Sequence, residues 1–138
     1  EPMWLLKTEP GAYAFEDLER EGKTVWDGVK NPAAQKNLRA MKAGDRVVIY
    51  HTGEQKAAVG LAEVTRAAYP DPKQADGRLV VVDLKPLRRC LRPVTLAEIK
   101  ADPAFVDSPL LRQGRLSVVP LTPTQVKALD SLAAGGAR

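Results

Sequence analysis

The sequence predicts a mixed α+β fold in which a strongly bent sheet or small barrel is flanked by helices. Its 138 residues fit one domain, and the 44% of hydrophobic residues can form a substantial core. Helical and extended patterns do not alternate regularly along the chain, which disfavours a doubly wound parallel sheet. We therefore expect a single domain over residues 1–138.

The first strand and the first helix follow from a short apolar run and an acidic start. Met3–Thr8 is apolar and ends at the Pro10-Gly11 turn, which predicts a strand. Residues 15–20 begin with acidic side chains and are followed by Gly22. This pattern is typical of a short helix.

The next segment predicts a brief extended piece and a second helix. Residues 24–26 are β-rich and lead into a turn at Asp27-Gly28. Asn31 can cap a helix that has Pro32 in its first turn, so we expect a helix over 32–41.

The middle of the chain predicts the longest strands. Residues 46–52 and 57–66 are both β-rich and are separated by a polar, glycine-containing connection, which favours a hairpin. A polar loop over 71–77 then leads to a third candidate strand over 78–87.

Two capping boxes predict helix starts in the last third of the chain. They are Thr95-Leu-Ala-Glu98 and Thr122-Pro-Thr-Gln125. The first helix should end by Asp102-Pro103, and a last strand should span 117–121. The final helix should run to about residue 134 and stop at glycines 135 and 136.

The cysteine and histidine counts exclude several kinds of site. With one cysteine and one histidine, the chain can form neither an internal disulfide nor a Cys/His zinc site. A nucleophilic pair of Cys90 and His51 stays formally possible, although Cys90 lacks a helix-start context. No glycine-rich phosphate loop is present. We therefore expect no metal and no cofactor.

The chain also lacks the signals of membrane insertion and secretion. No apolar run approaches the roughly 18–20 residues that span a bilayer, and the start has no basic region before a long apolar stretch. We expect no membrane partner and a cytoplasmic location, or a nuclear one if the organism is eukaryotic.

The positive charge is concentrated in one segment. Residues 85–115 hold seven basic and three acidic side chains, which accounts for the whole net charge of +4. Such a stretch suits a phosphate backbone, although a solvated protein face is an equally good explanation. The candidate phosphate contacts are Arg88, Arg89, Arg92, Arg112 and Arg115.

A few side chains could carry chemistry. Trp4 lies in an apolar strand and is expected in the core. Trp26 stands beside a turn, where an aromatic ring can stack on a flat ligand while backbone amides read its edge, or can be a half-buried structural residue. His51 follows Val47 and Ile49 with strand periodicity, which is typical of a core histidine.

Seven stretches of the sequence, in order, resemble the EVE domain family, whose members include the thymocyte nuclear proteins. The resemblance runs from Met3 to about Leu132. It is carried by Trp4–Pro10, Trp26–Asn31, Leu38–Lys42, Tyr50–Thr52, Ala68–Pro72, Arg92–Glu98 and Leu111–Ser117.

The resemblance implies a fold and a function. The family has the PUA-like fold, a bent, mostly antiparallel pseudo-barrel, here of about five to six strands, with helices outside. Its YTH relatives hold a methylated adenine in an aromatic cage, so the resemblance implies a non-enzymatic reader of a modified base in DNA or RNA. We expect the chain to act as a monomer. The resemblance places the base against Trp26, with hydrogen bonds from the backbone at Asp27, Gly28 and Val29. The other pocket residues it implies are Thr8, Glu9, Asn31, His51 and Thr52.

Three departures from the family pattern are evident. Residues 30–36 lack the tyrosine and the second arginine that the family usually has there, which weakens the expectation of a contact from the start of the second helix. Leu79 stands where many members have tryptophan, which predicts a missing or aliphatic second wall. Gly114 replaces a common serine, and we expect that change to be mild.

Two other functions remain open. The related ASCH domains resemble amidohydrolases that act on acylated nucleosides through Lys, Thr and Glu. Lys7, Thr8 and Glu9 are the right types, with Asp27 or Glu63 as a further acid, although neighbours along a strand point to opposite faces. The chain could also be a protein-interaction domain with an acidic partner, but the sequence offers no exposed apolar stripe for it.

Overall fold

One six-stranded sheet forms the centre of the molecule. The structure, a computed structural model, describes residues 3–74 and 77–134. The strands are β1 (Met3–Thr8), β2 (Thr24–Trp26), β3 (Arg46–His51), β4 (Ala57–Pro70), β5 (Val80–Thr95) and β6 (Val118–Leu121). The helices are α1 (Phe15–Glu21), α2 (Pro32–Ala40), α3 (Leu96–Ala101), α4 (Pro109–Arg112) and α5 (Pro123–Ala133), with a 3₁₀ turn at Pro103–Phe105.

The strand order is β2-β5-β4-β3-β1-β6. Among the strands of the described residues, β1 and β3 alone pair in parallel, and the other neighbours are antiparallel. The predicted class, a mixed and mostly antiparallel bent sheet with flanking helices, is confirmed. The short strands β2 and β6 lie at the two ends of this order.

The β4–β5 pair is longer and less regular than the sequence predicts. We expected strands over 57–66 and 78–87, whereas β4 reaches Pro70 and β5 reaches Thr95. The register shifts four times along this pair. Pro93 lies in the stretch between Arg89 and Val94 that a bulge leaves out of the ladder, while Pro86 stands opposite Ala62 next to another register shift. Each bulge bends the strand.

The predicted helix starts are confirmed by their caps. The side-chain oxygens of Thr95 and Thr122 each accept a bond from the backbone N–H three residues later. The Asn31 side chain accepts from Ala34 N at 3.0 Å. The 3₁₀ turn and α4 were missed, although Asp102 and Ser108 cap them just before prolines. Glycines 135 and 136 lie outside the described residues.

Helices and strands both contribute side chains to the hydrophobic core. Trp4 is 8% exposed, as expected, and its Nε1 donates to Asp45 Oδ2 at 3.0 Å. Phe15 anchors α1 and is 1% exposed. Across residues 3–74 and 77–134, every helix is too short or too polar to cross a bilayer.

Candidate functional site

An open cavity of about 680 Å³ lies where β1 and β2 end. Its wall is formed by residues 7–9, 12–13, 21, 24–29, 71–73 and 117. These residues come from the end of β1, the loop into α1, the end of α1, β2 with its following loop, the loop between β4 and β5, and the position before β6. The volume is in the range of small-molecule sites, about 300–1,000 Å³.

Trp26 is buried but borders this cavity. It is 7% exposed and pairs with Val82 at the end of β2. Gly28, two residues later, has a φ of 78°, a left-handed conformation that suits glycine and turns the chain along the cavity wall. The sheet therefore holds the indole rigidly beside an accessible hollow.

Tyr13 supplies a second aromatic ring, which the sequence analysis missed. Its ring meets that of Trp26 edge to face, with centroids 6.0 Å apart and planes at 87°. Its hydroxyl donates to Glu21 Oε1 at 2.6 Å. Burial, together with the hydrogen bond to Glu21, raises the pKa of Tyr13 to about 12, so the phenol stays neutral. Leu79, where a second wall was expected to be absent or aliphatic, does not line the cavity.

The loop after Trp26 is held by a buried glutamine from α2. Gln35 is 3% exposed, and its Nε2 donates to Val29 O at 2.6 Å and to Val80 O at 3.1 Å. Its Oε1 accepts from Val80 N at 2.9 Å. One side chain thus fixes the cavity wall at Val29 to the start of β5.

Carboxylates outnumber amines around the cavity. Glu9, Glu21, Asp27 and Asp71 line it, together with Lys7 and Lys73. Asp27 pairs with Lys73 at 3.3 Å, and burial lowers the pKa of Lys7. An acid-rich wall repels phosphate and favours a ligand edge that carries N–H donors.

The side chains of an amidohydrolase-like site are instead engaged in holding the backbone. Lys7 Nζ donates to Gly114 O at 3.0 Å, and Thr8 Oγ1 donates to Tyr13 O at 2.7 Å. Glu9 Oε1 accepts from Gly11 N at 2.5 Å. Of the two further acids considered, Asp27 lines the cavity and Glu63 does not.

Three predicted pocket residues lie outside the cavity wall. Asn31 caps α2, and Thr52 borders a separate cavity of about 290 Å³. His51 is 3% exposed and bonds to Phe15 and Gln55, as expected for a core histidine. The structure brings the other six together along one wall: Thr8, Glu9, Trp26, Asp27, Gly28 and Val29.

The predicted phosphate contacts do not form one group at this cavity. Arg89 pairs with Glu16 and Glu19 on α1, while Arg92 pairs with Glu98. Arg112 pairs with Asp107 at 3.2 Å. Arg88 borders other cavities, and exposed Arg115 lies two residues before Ser117 of the cavity wall.

Cys90 and His51 are not brought together at this cavity either. Cys90 borders a cavity under α5 that does not include His51. Burial raises the pKa of its thiol, which disfavours the reactive thiolate.

The sequence contained partial signals for the missed residues. Residues 71–73 overlap the Ala68–Pro72 stretch, which was recognised as a motif but given no role. Tyr13 falls between two recognised stretches, and its only signal was the scarcity of aromatic residues, 5% of the chain.

A distant fold neighbour bears on the enzymatic alternative. An ASCH protein from Zymomonas mobilis is 16% identical, with a TM-score of 0.57 and coverage of 94% of both chains. At this identity the likeness establishes a shared fold alone.

Relatives of higher sequence identity all point to one family. The chain is 29% identical to human thymocyte nuclear protein 1 over 94% of its own length and 72% of that protein. A Rhodopseudomonas palustris protein solved by NMR is 39% identical, with a TM-score of 0.90 and coverage of 100% and 96%. A crystal structure of the human protein in complex with 5-methylcytosine-containing DNA is 30% identical, with a TM-score of 0.87 and coverage of 96% and 98%. Residues 2–132 match the EVE domain. The resemblance inferred from the sequence is thereby confirmed, and this chain belongs to the EVE domain family.

Proposed function

We propose that this chain binds DNA carrying a modified base, with 5-methylcytosine as the first candidate, and takes the base out of the stack into the cavity beside Trp26. The observation that carries the proposal is the accessible hollow bordered by Trp26 and Tyr13 in a chain 30% identical to a protein crystallised with 5-methylcytosine DNA. The base binds without a covalent step, because Lys7, Thr8 and Glu9 are occupied by backbone contacts.

The two aromatic rings divide the work of holding the base. The base stacks on the indole ring of Trp26. The ring of Tyr13 closes the side of the hollow, since the planes of the two rings stand at 87°. Stacking contributes about 1–3 kcal/mol per base, whereas extruding a base costs a few kcal/mol. The cavity alone therefore cannot hold a duplex tightly, and phosphate contacts must add affinity.

The acid-rich wall selects a base with an exocyclic amine. Cytosine presents N4–H donors, which Asp27 can accept through Oδ1, since it is Oδ2 that pairs with Lys73. The backbone of Gly28 and Val29 reads the remaining edge. A methyl group packed on Val25, Val29 or Pro72 adds about 0.8 kcal/mol, which corresponds to about fourfold in affinity.

Phosphate contacts come from basic residues at the rim of the cavity. Lys30 follows Val29, Lys73 lines the cavity, and Arg115 precedes Ser117 by two residues, and all three are exposed. Arg112 pairs with Asp107 instead. We assign Lys30, Lys73 and Arg115, rather than Arg88, Arg89 and Arg92, to the DNA backbone because they line the cavity or lie within two residues of its wall.

Several finer points belong to the same proposal. RNA carrying the same modification is a second ligand to test. We also propose that the chain acts as one domain over residues 1–138, as a monomer without a metal. A cytoplasmic location stays a prediction, and the curated human relative is named as a nuclear protein.

The test compares the two tryptophans of the chain. Fluorescence anisotropy would measure binding of duplexes that differ only in one 5-methylcytosine, using the intact chain, Trp26→Ala, Tyr13→Leu and Trp4→Phe. Trp4 has nearly the same exposure as Trp26, 8% against 7%, but lies away from the cavity. We expect Trp26→Ala to lose about 5- to 150-fold in affinity and Trp4→Phe to retain it.

Two outcomes would contradict the proposal. One is equal affinity of the intact chain for methylated and unmethylated duplexes. The other is a folded Trp26→Ala variant that binds the methylated duplex as well as the intact chain does. Thermal melting of each variant establishes that it is folded under the assay conditions.

A further inference from the structure

A second concave surface runs along α5, away from the cavity at Trp26. Two adjoining cavities of about 270 and 370 Å³ share Met3, Leu61, Arg88, Val126 and Asp130. We name this continuous surface the α5 groove. It shares no lining residue with the cavity at Trp26. The two surfaces are therefore built from separate sets of residues.

The floor of the α5 groove is apolar. Val48 and Leu61 from the sheet and Val126 and Leu129 from α5 line it. Leu91 stands at its edge with 87% of its surface exposed. This exposed leucine is continuous with an apolar depression, which is typical of an interaction surface rather than of scattered surface hydrophobics.

A bulge in β5 pushes Leu91 into solvent. Gly60 pairs with Arg89 and Ala58 pairs with Val94, so five steps along β5 match two steps along β4. The extra residues leave the ladder between these pairs, and Leu91 lies among them. Bulges of this kind re-aim side chains and are common next to functional sites.

The margin of the α5 groove is basic. Arg46, Arg88 and Lys127 line it, against one carboxylate from Asp130. Within the described ranges 3–74 and 77–134, none of these three cations forms an ion pair. Arg89 also borders the groove, but Glu16 and Glu19 neutralise it.

We propose that the α5 groove docks an acidic segment of a partner protein, whose apolar side chains fill the floor and whose carboxylates meet Arg46, Arg88 and Lys127. The charge of the margin selects the acidic partner, and the apolar floor selects a peptide over a phosphate backbone, which gains little from buried aliphatic surface. The arrangement suits recognition of an amphipathic segment laid into a groove. It also supplies the apolar surface that the sequence analysis did not find.

The test is a selection followed by a comparison of variants. A phage-displayed library of random 12-residue peptides is selected on the immobilised intact chain, and the most enriched peptide is labelled for fluorescence polarisation. We expect enriched peptides that combine Asp or Glu with Leu or Phe. Arg88→Glu and Leu91→Ser should each lower the affinity for the labelled peptide by about tenfold or more.

Lys30→Glu is the matched control, because it makes the same charge change on the rim of the other cavity. Lys30→Glu should weaken the binding of methylated DNA and leave the binding of the peptide unchanged. Arg88→Glu should weaken the binding of the peptide and leave that of methylated DNA unchanged. Selection of peptides without acidic residues, failure to enrich any peptide, or peptide binding that survives both groove variants overturns the inference. Loss of DNA binding in Arg88→Glu would instead make the groove a nucleic-acid surface and also overturns it.

Discussion

The backbone N–H of Phe15 donates a 3.0 Å hydrogen bond to Nε2 of His51. Nε2 must be unprotonated to accept it, so the proton lies on Nδ1, which contacts Gln55 Oε1 at 2.7 Å. The ring thus joins the first residue of α1 to the last residue of β3. The ring thereby anchors the start of α1, the helix that lies between Tyr13 and Trp26 in the chain. His51 itself does not line the cavity.

Replacing His51 by alanine should therefore cost stability. The buried N–H of Phe15 would lose its partner, a loss of about 1–3 kcal/mol in the free energy of unfolding. Urea unfolding followed by tryptophan fluorescence measures it. If His51→Ala kept full stability but lost binding of methylated DNA, the histidine would be a base contact rather than a structural residue.

Gly60 should not accept a side chain. A Cβ at this position would lie 2.5–2.6 Å from three ring atoms of Phe15, which is fully buried and cannot move aside. Overpacking of this kind costs about 1–3 kcal/mol, so Gly60→Ala should lower the urea midpoint clearly. Adding Phe15→Leu should recover part of the loss, because it removes the clashing ring atoms.

Gly114 is the matched control for that substitution. A Cβ there meets nothing within 4 Å, so Gly114→Ala should leave the urea midpoint nearly unchanged. The mild effect expected for a serine at this position follows from the same open space. A loss at Gly114 equal to that at Gly60 would mean that backbone freedom, not the Phe15 contact, governs both positions.

Glu98 should make the stability of the protein sensitive to acid. Hydrogen bonds from Arg92 and from the backbone of Thr95 lower its pKa from 4.5 to about 2. A carboxyl group whose pKa is lower in the folded than in the unfolded chain stabilises the fold at pH values above the unfolded-state pKa. This stabilisation is therefore present above pH 4.5 and is lost as the pH falls toward 2. Glu98→Gln should flatten the fall in melting temperature over this range. A variant whose melting curve tracks the intact chain from pH 5 to pH 2 would contradict the assignment.

Gln35 should be a positioning residue for the base. Gln35→Leu leaves Val29 O and Val80 N without their partner, which should lower stability by about 1–3 kcal/mol and loosen the wall after Trp26. The preference for methylated over unmethylated DNA should shrink as well.

Gln125 separates the two effects. It is also buried, at 6% exposure, and its Nε2 donates to Ala104 O at 3.2 Å, away from the cavity. Gln125→Leu should reduce the melting temperature without changing the preference for the methylated base. Equal changes in preference for both variants would assign the effect to general loosening of the fold.

Local patterns were sufficient to predict most elements of the fold. Capping boxes, the Asn31-Pro32 start and strand periodicity depend on contacts within about four residues, which the sequence displays directly. The lengths of β4 and β5 were underestimated, because a bulge depends on which residues pair across two strands and is invisible along one.

The identity of the cavity wall and of its neighbours required the tertiary structure. Residues 26–29 were predicted because they form one strand-to-turn segment within a stretch that resembles the family, whereas Tyr13, Glu21 and residues 71–73 reach the same hollow from other parts of the chain. Likewise, the basic segment 85–115 was evident in the sequence. In the structure, three of its arginines form ion pairs with different carboxylates, and Arg88 borders the apolar α5 groove. Charge and periodicity are properties of consecutive residues, while a cavity is formed by residues that only packing brings together.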